Sequence, residues 1–124
     1  MKHKVDFLII GSGIAGLSYA LKVAAHGSVC IITKSNEDES NTKYAQGGVA
    51  AVLYEGDSHE KHVKDTLDAG AGLCDEEIVN IVITEGTERV QELISLGANF
   101  DKKESGEYDL AKEGGHSEHR ILHY

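Results

Sequence analysis

Gly11, Gly13 and Gly16 stand in the spacing G-x-G-x-x-G directly behind the apolar residues 5–10. Each glycine answers a separate need. Gly11 permits a tight turn out of a strand, Gly13 leaves no side chain between the backbone and a pyrophosphate, and Gly16 lets the following helix lie close on the sheet. A helix starting there offers N–H groups and a partial positive charge of about half a unit to a diphosphate. Gly11, Ser12, Gly13, Ile14, Ala15 and Gly16 are therefore the candidate cofactor cradle. Which dinucleotide it takes stays open at this point. An acid at the end of the second strand would bind adenosine ribose hydroxyls, but the chain has Thr33-Lys34 there, with Glu37 beyond the strand end. Lys34 would suit the extra phosphate of NADP, so FAD, NAD and NADP all remain.

The elements that must position the cradle can be read around it. Residues 5–10 read as a buried strand, apolar on both faces except for Asp6. Residues 13–26 read as a helix with Gly27 as its C′ glycine. Residues 29–33 form a second, β-branched strand. Strand, turn, helix and strand within about 30 residues make a βαβ unit with parallel strands. Residues 36–39 read as a solvated loop. Asp57-Ser58-His59-Glu60 has the D-x-x-E form of a capping box, which starts a helix running to about residue 69. Gly70 and Gly72 break it, and Asp75 caps the next helix. Val79, Val82, Ile83, Gly86, Val90, Leu93 and Ile94 trace one face of that helix at 3.6 periodicity, with a break near Gly86 and closure at Gly97. Residues 98–115 read as a loop or hairpin.

Composition narrows the partners. The 124 residues carry 12 basic and 21 acidic side chains, a net charge of −9. No basic stripe exists to displace phosphate counterions, which argues against nucleic acid. No segment reaches the roughly 18 apolar residues of a membrane span. The lysine-flanked apolar start mimics a signal peptide, but Asp6 and Lys22 interrupt it and the glycine spacing accounts for the same residues. Cys30 and Cys74 lack metal-site spacing, and Cys30 reads as a buried reduced thiol. A cytoplasmic protein follows.

Residues 40–48 read Ser-Asn-Thr-Lys-Tyr-Ala-Gln-Gly-Gly, residues 65–75 Asp-Thr-Leu-Asp-Ala-Gly-Ala-Gly-Leu-Cys-Asp, and residues 113–117 Glu-Gly-Gly-His-Ser, followed by Arg120-Ile121-Leu122-His123. With residues 11–16 these four stretches, in this order, resemble the succinate dehydrogenase and fumarate reductase flavoprotein family. Within it they are most similar to the L-aspartate oxidase branch. Thr33-Lys34 resembles that branch's Ser-Lys pair, which removes the NADP reading.

The resemblance implies an α/β fold: a Rossmann-like FAD-binding domain with a βαβ opening and parallel sheet, incomplete, with helices following. Residues 1–56 would hold the fingerprint and flavin loop, 57–97 the helices, and 98–124 a loop and the start of a substrate-side motif. It implies FAD at residues 12–15, Lys34 near the adenosine end, and Asn41, Thr42, Lys43, Tyr44, Ala45, Gln46, Gly47 and Gly48 along the ribityl arm and isoalloxazine. Covalent members of the family carry a histidine where this chain has Asn41, so noncovalent FAD is expected. Glu113 would face the amino group of L-aspartate, since a desolvated ammonium needs a carboxylate.

The implied activity is oxidation of L-aspartate to iminoaspartate, with oxygen or fumarate as acceptor and a quinolinate synthase as the partner downstream. The catalytic acid–base arginine of the family would lie beyond residue 124, so no catalytic residue is expected in this chain, which reads as an N-terminal fragment inactive alone. A fumarate or succinate enzyme, and a noncatalytic nucleotide-binding module, are the competing readings. His116, His119 and His123 would share one face with Glu113 if residues 113–123 were helical; no further chelating pattern supports a metal, and none is assigned. His3, His26, His59 and His62 read as surface residues, and Tyr44 and Tyr54 as packing aromatics.

Overall fold

The computed structural model describes residues 2–34, 44, 45 and 47–124. It divides into two compact units, Met1–Gln46 and Gly47–Tyr124.

In the first unit β1 (Phe7–Ile10) leads through the glycine turn into α1 (Ile14–Val23) and then β2 (Val29–Ile32). The strands pair parallel, Phe7 opposite Val29 through Ile10 opposite Ile32. β1 starts later than the apolar run suggests, because Asp6 closes the sheet end instead. Its carboxylate accepts from the Ser28 N–H (2.9 Å) and hydroxyl (2.7 Å). That contact also explains Gly27. The helix ends at Ala24 in right-handed geometry, so Gly27 is no C′ glycine. A Cβ on it would instead lie 2.8 Å from the Asp6 carboxylate. Burial on both strand faces is not found: Ile10 is 84% exposed and Leu8 57%. Cys30 is half-buried rather than buried, and both cysteines are free thiols.

In the second unit β3 (Val49–Ala50) precedes α2 (His59–Ala69) and α3 (Glu76–Ser95), and β4 (Leu110–Ala111) and β5 (Ile121–Leu122) follow. The three strands form an antiparallel sheet in the order β3-β5-β4. The hairpin expected within residues 98–115 is present as an antiparallel bridge between Lys102 and Tyr108. Ala51, Val90 and Leu122 form the core, with Ile94, Phe100 and Leu110 packed on it. Arg120 heads the central strand: its N–H donates to Ala111 O and its carbonyl accepts from Ala51 N–H.

α3 runs through Gly86 without a break, and its apolar face is buried at Ile83 and Val90, although Val82 is 63% exposed. Asp75 caps it by accepting from Ile78 N–H. Gly97 ends it at φ +104°, with Gly97 N–H donating to Ile94 O and Ala98 N–H to Leu93 O. That pair of bonds is the Schellman pattern.

α2 departs from expectation at its start. Its cap is Ser58, which accepts from Lys61 N–H at 3.2 Å, while Asp57 points into the unit. Ser58→Ala is expected to cost about 1 kcal/mol of stability, read by thermal denaturation. A loss near zero would return the cap to Asp57. No helix among the described residues is long and apolar enough to cross a membrane.

Candidate functional site

The glycine turn in the first unit is built by steric closure. Gly11 sits at φ +109°, where an L side chain is strained. Its N–H donates to Ile32 O at 2.8 Å, extending the parallel ladder one residue past β1. A Cβ on Gly16 would lie 2.2 Å from the Gly11 carbonyl oxygen, so helix and turn touch backbone to backbone. Gly13 is the N-cap of α1 in extended geometry. Among the described residues no side chain caps that end, and the first turn holds no acid. The positive end of such a helix favours an approaching anion.

Ser12 is buried, and its hydroxyl donates to Thr33 Oγ1 at 3.1 Å. That bond ties the turn to the end of β2 and leaves Ser12's backbone, rather than its hydroxyl, for a ligand. Ile14, Ala15 and Lys34 are exposed at the same unit's surface. Placing an acid at the helix entrance tests this reading: Ile14→Asp is expected to weaken FAD binding about tenfold or more, measured by flavin fluorescence, through like-charge repulsion with the diphosphate. Unchanged affinity would move the diphosphate elsewhere.

Of the expected flavin loop, Asn41, Thr42, Lys43 and Gln46 lie outside the described residues, as does the loop at residues 36–39. Tyr44 and Ala45 are exposed in the first unit, and Gly47 and Gly48 open the second. The two glycines differ. A Cβ on Gly48 would lie 2.3 Å from Ile121 Cγ2 and 2.4 Å from Leu122 O, so packing against β5 demands glycine there. A Cβ on Gly47 would meet nothing within 4 Å. Gly47 is thus the one of the pair whose side-chain space the described residues leave open.

In the second unit the connection from β4 to β5 carries Glu113. Residues 113–116 form a turn closed by His116 N–H to Glu113 O at 3.2 Å. Gly115 occupies its third position at φ +84°, as a type II turn requires. The Glu113 carboxylate lies 3.1 Å from His123 Nε2, with both side chains partly exposed. Residues 112–119 are not helical, so His116, His119 and His123 do not share a helix face. Among the described residues no group of three His, Cys, Asp or Glu could hold a metal.

Sequence reasoning missed the charged cluster beneath that turn. Arg120 is fully buried. Its Nε and Nη2 donate to the two carboxylate oxygens of Asp57, both at 2.7 Å. Its Nη1 donates to Asp65 Oδ2 at 2.6 Å and to His116 Nδ1 at 3.3 Å. A guanidinium only donates, so Nδ1 of His116 must be the unprotonated nitrogen. Asp65 Oδ2 also accepts from the Ser117 N–H and hydroxyl, each at 2.7 Å. Beside it, Glu118 accepts from Tyr54 Oη and Lys61 Nζ, each at 2.6 Å. Tyr54 therefore combines a hydrogen-bonding hydroxyl with a ring lying against Gly56, and Tyr44 is exposed.

His62, read as a surface residue, is buried, its ring 5.6 Å from that of His116. Its Nδ1 has no hydrogen-bond partner among the described residues. One signal was available for the cluster: Asp57 and Ser58 are adjacent cap formers competing for one helix start, which frees one of them for another role.

These environments shift protonation. The bonds to Asp57 raise Arg120 further, against the opposing effect of burial. Burial pushes Asp65 up, but the bonds from Ser117 and Arg120 outweigh it and hold its carboxyl well below the usual range. Burial, then the Arg120 charge and His116, lower His62. Both depressed groups bind fewer protons folded than unfolded, so both lend stability at high pH and lose it as pH falls. Stability is expected to be flat between about pH 6.5 and about pH 9, to drop below that range as unfolded His62 takes up a proton, and to drop again below about pH 4.5 through Asp65 together with the other depressed carboxylates, Asp6, Glu60 and Glu118. Urea unfolding across pH reads this, and His62→Gln should flatten the first drop. A first drop that survives in His62→Gln would contradict it.

The sequence matches the family described as "FAD binding domain" over residues 6–124. The protein named "L-aspartate oxidase, chloroplastic" from Oryza sativa subsp. japonica is 63% identical over 118 residues, 95% of this chain and 18% of that protein. "L-aspartate oxidase" of Vibrio cholerae is 52% identical over 127 residues, 98% of this chain and 24% of that protein. Among solved structures, the Mycobacterium smegmatis Sdh1 complex in the apo form matches with a TM-score of 0.87 and 32% identity, over 98% of this chain and 21% of that one. A structure titled "Quinol-Fumarate Reductase with Menaquinol Molecules" matches with a TM-score of 0.90 and 28% identity, over all of this chain and 22% of that one. The chain spans between 18% and 24% of the length of these relatives.

Proposed function

Because this chain belongs to the FAD-binding-domain family, we propose that it forms part of the FAD site of an enzyme that oxidises L-aspartate to iminoaspartate. The observation that carries the flavin half is the closed glycine turn, where backbone stands 2.2 Å from any Cβ that Gly16 could bear. Such a turn fits a diphosphate and little else that is larger at the backbone. The aspartate half rests on 63% and 52% identity to proteins named L-aspartate oxidase.

FAD, when bound, would supply the acceptor for the hydride leaving the substrate carbon, with oxygen or fumarate as the final electron acceptor. This chain's part is binding and placement. Gly11, Ser12, Gly13, Ile14, Ala15 and Gly16 hold the diphosphate at the α1 terminus, and Lys34 lies toward the adenosine. The ribityl arm and ring are assigned to residues 41–48, and at Gly47, where the described residues leave the side-chain space open, a flat ring would lie against the backbone. Asn41 cannot form the covalent link of histidine-bearing members, so FAD is held noncovalently. Glu113 takes the substrate ammonium as a carboxylate partner. No acid–base residue and no group for the substrate carboxylates is assigned among these 124 residues. A cytoplasmic location and transfer of the iminoaspartate to a quinolinate synthase belong to the same proposal.

The second reading, a fumarate or succinate enzyme, is favoured by the backbone match to the quinol-fumarate reductase structure. Anaerobic addition of substrate to the FAD-loaded enzyme separates the two. L-Aspartate should bleach the visible flavin absorbance and succinate should not. Bleaching by succinate alone would reverse the assignment.

A further inference from the structure

We propose that Arg120 is a positioning residue for the turn at residues 113–116, holding Glu113 where a substrate ammonium can reach it. The inference rests on the aspartate reading above for the role of Glu113, but its geometry stands in the second unit alone.

The turn lies in a connection with no strand or helix of its own. Its last residue and the two that follow are fastened, His116 and Ser117 through contacts that meet at Arg120, and Glu118 separately. His116 Nδ1 accepts from Arg120 Nη1, and His116 N–H closes the turn onto Glu113 O. Ser117 gives two hydrogen bonds to Asp65 Oδ2, the same oxygen that Arg120 Nη1 contacts at 2.6 Å. Glu118 is held by Tyr54 and Lys61. Lys112 Nζ donates to Ser117 O at 2.8 Å and so draws the two ends of the turn together. Gly115 packs onto α2, where a Cβ would touch Ala69 at 3.4 Å.

Arg120 itself cannot drift, because Asp57 grips the other two nitrogens of the fork. A planar, always-charged fork with donors on both sides is the group that can span two carboxylates and an imidazole at once. Lysine carries the charge without the fork. The carboxylate of Glu113 is left partly exposed, touching His123 and taking no bond from Arg120. The fixed charge therefore orients the turn without neutralising the residue that would meet substrate.

The test compares Arg120→Lys and Ser117→Ala with wild type in the FAD-loaded enzyme. Amide hydrogen exchange at His116 and Ser117 should quicken by about tenfold or more in Arg120→Lys, and less in Ser117→Ala, while residues 83–90 of α3 stay protected. KM for L-aspartate should rise by about tenfold with kcat changed less than about twofold, because the change touches placement of a binding group and not the chemical step. Ser117→Ala leaves the Arg120–Asp57 pair intact, so it decides the matter if Arg120→Lys does not fold. Unchanged exchange at the turn, or a fall in kcat with KM unmoved, overturns the proposal. If wild type does not oxidise L-aspartate the functional reading fails, and the exchange comparison still decides whether Arg120 orders the turn.

Discussion

Arg120→Ala is expected to lower the stability of the Gly47–Tyr124 unit by about 3–5 kcal/mol, the usual consequence of removing one partner from a buried ion pair. Asp57 and Asp65 would both lose their cation, and the Asp57 side chain has no exposure through which water could replace it. Domains are stable by only about 5–15 kcal/mol in total, so such a loss leaves the unit close to unfolding at room temperature. Asp57→Ala should be nearly as damaging, since Arg120 would keep only Asp65 and a single nitrogen of His116. Removing both partners together, as Arg120→Met with Asp57→Leu, should cost clearly less than the sum, because the fully buried Asp57 charge is gone and the one carboxylate left without its cation, Asp65, keeps its two bonds from Ser117. Urea unfolding of the three proteins measures this. Additive losses would mean that the pair contributes nothing beyond its individual side chains.

Gly16→Ala is the second large effect. One added methyl carbon would stand 2.2 Å from the Gly11 carbonyl oxygen, and that oxygen belongs to backbone, so no side-chain rotation relieves the overlap. Either α1 moves off the turn or the turn opens. Overpacking of this kind costs about 3 kcal/mol, and if that strain falls on the binding geometry, FAD affinity drops roughly 100-fold. Gly86→Ala is the matched control. Gly86 lies within α3 with open space around its Cβ position, so alanine there should stabilise by up to about 1 kcal/mol and leave FAD binding alone. Equal FAD affinity in Gly16→Ala and wild type would remove the turn from the site.

The parts of the fold legible from sequence are those decided by neighbours in the chain. The Asp75 cap and the Gly97 stop each depend on residues within a few positions, and the βαβ opening on elements that follow one another directly; each formed where its pattern stands. What stayed hidden depends on distant partners. Asp57 and Ser58 are equally good caps by local rules, and only Arg120, 63 positions on, draws Asp57 away. His62 sits on a polar helix whose sequence gives no sign that the β4–β5 connection covers it. Gly27 and Gly48 look like turn glycines, yet each is small to admit another segment, Asp6 in one case and β5 in the other. The antiparallel sheet escaped because its strands are two residues long, too short for alternation to show. In the site the same division holds. The glycine turn of residues 11–16 was readable residue by residue, whereas the clamp under Glu113 joins residues 57, 65, 116, 117 and 120 through side chains that no spacing rule connects.

A competition titration reaches the core of the account most directly. FAD is added to the FAD-free protein while its fluorescence is followed, with ADP or riboflavin present as competitor. If the glycine turn of residues 11–16 grips the diphosphate, FAD binds saturably, one per chain, and ADP, which carries adenosine and diphosphate, displaces it far better than riboflavin, which carries the ring alone. Displacement by riboflavin with ADP inert would place the grip elsewhere and contradict the account.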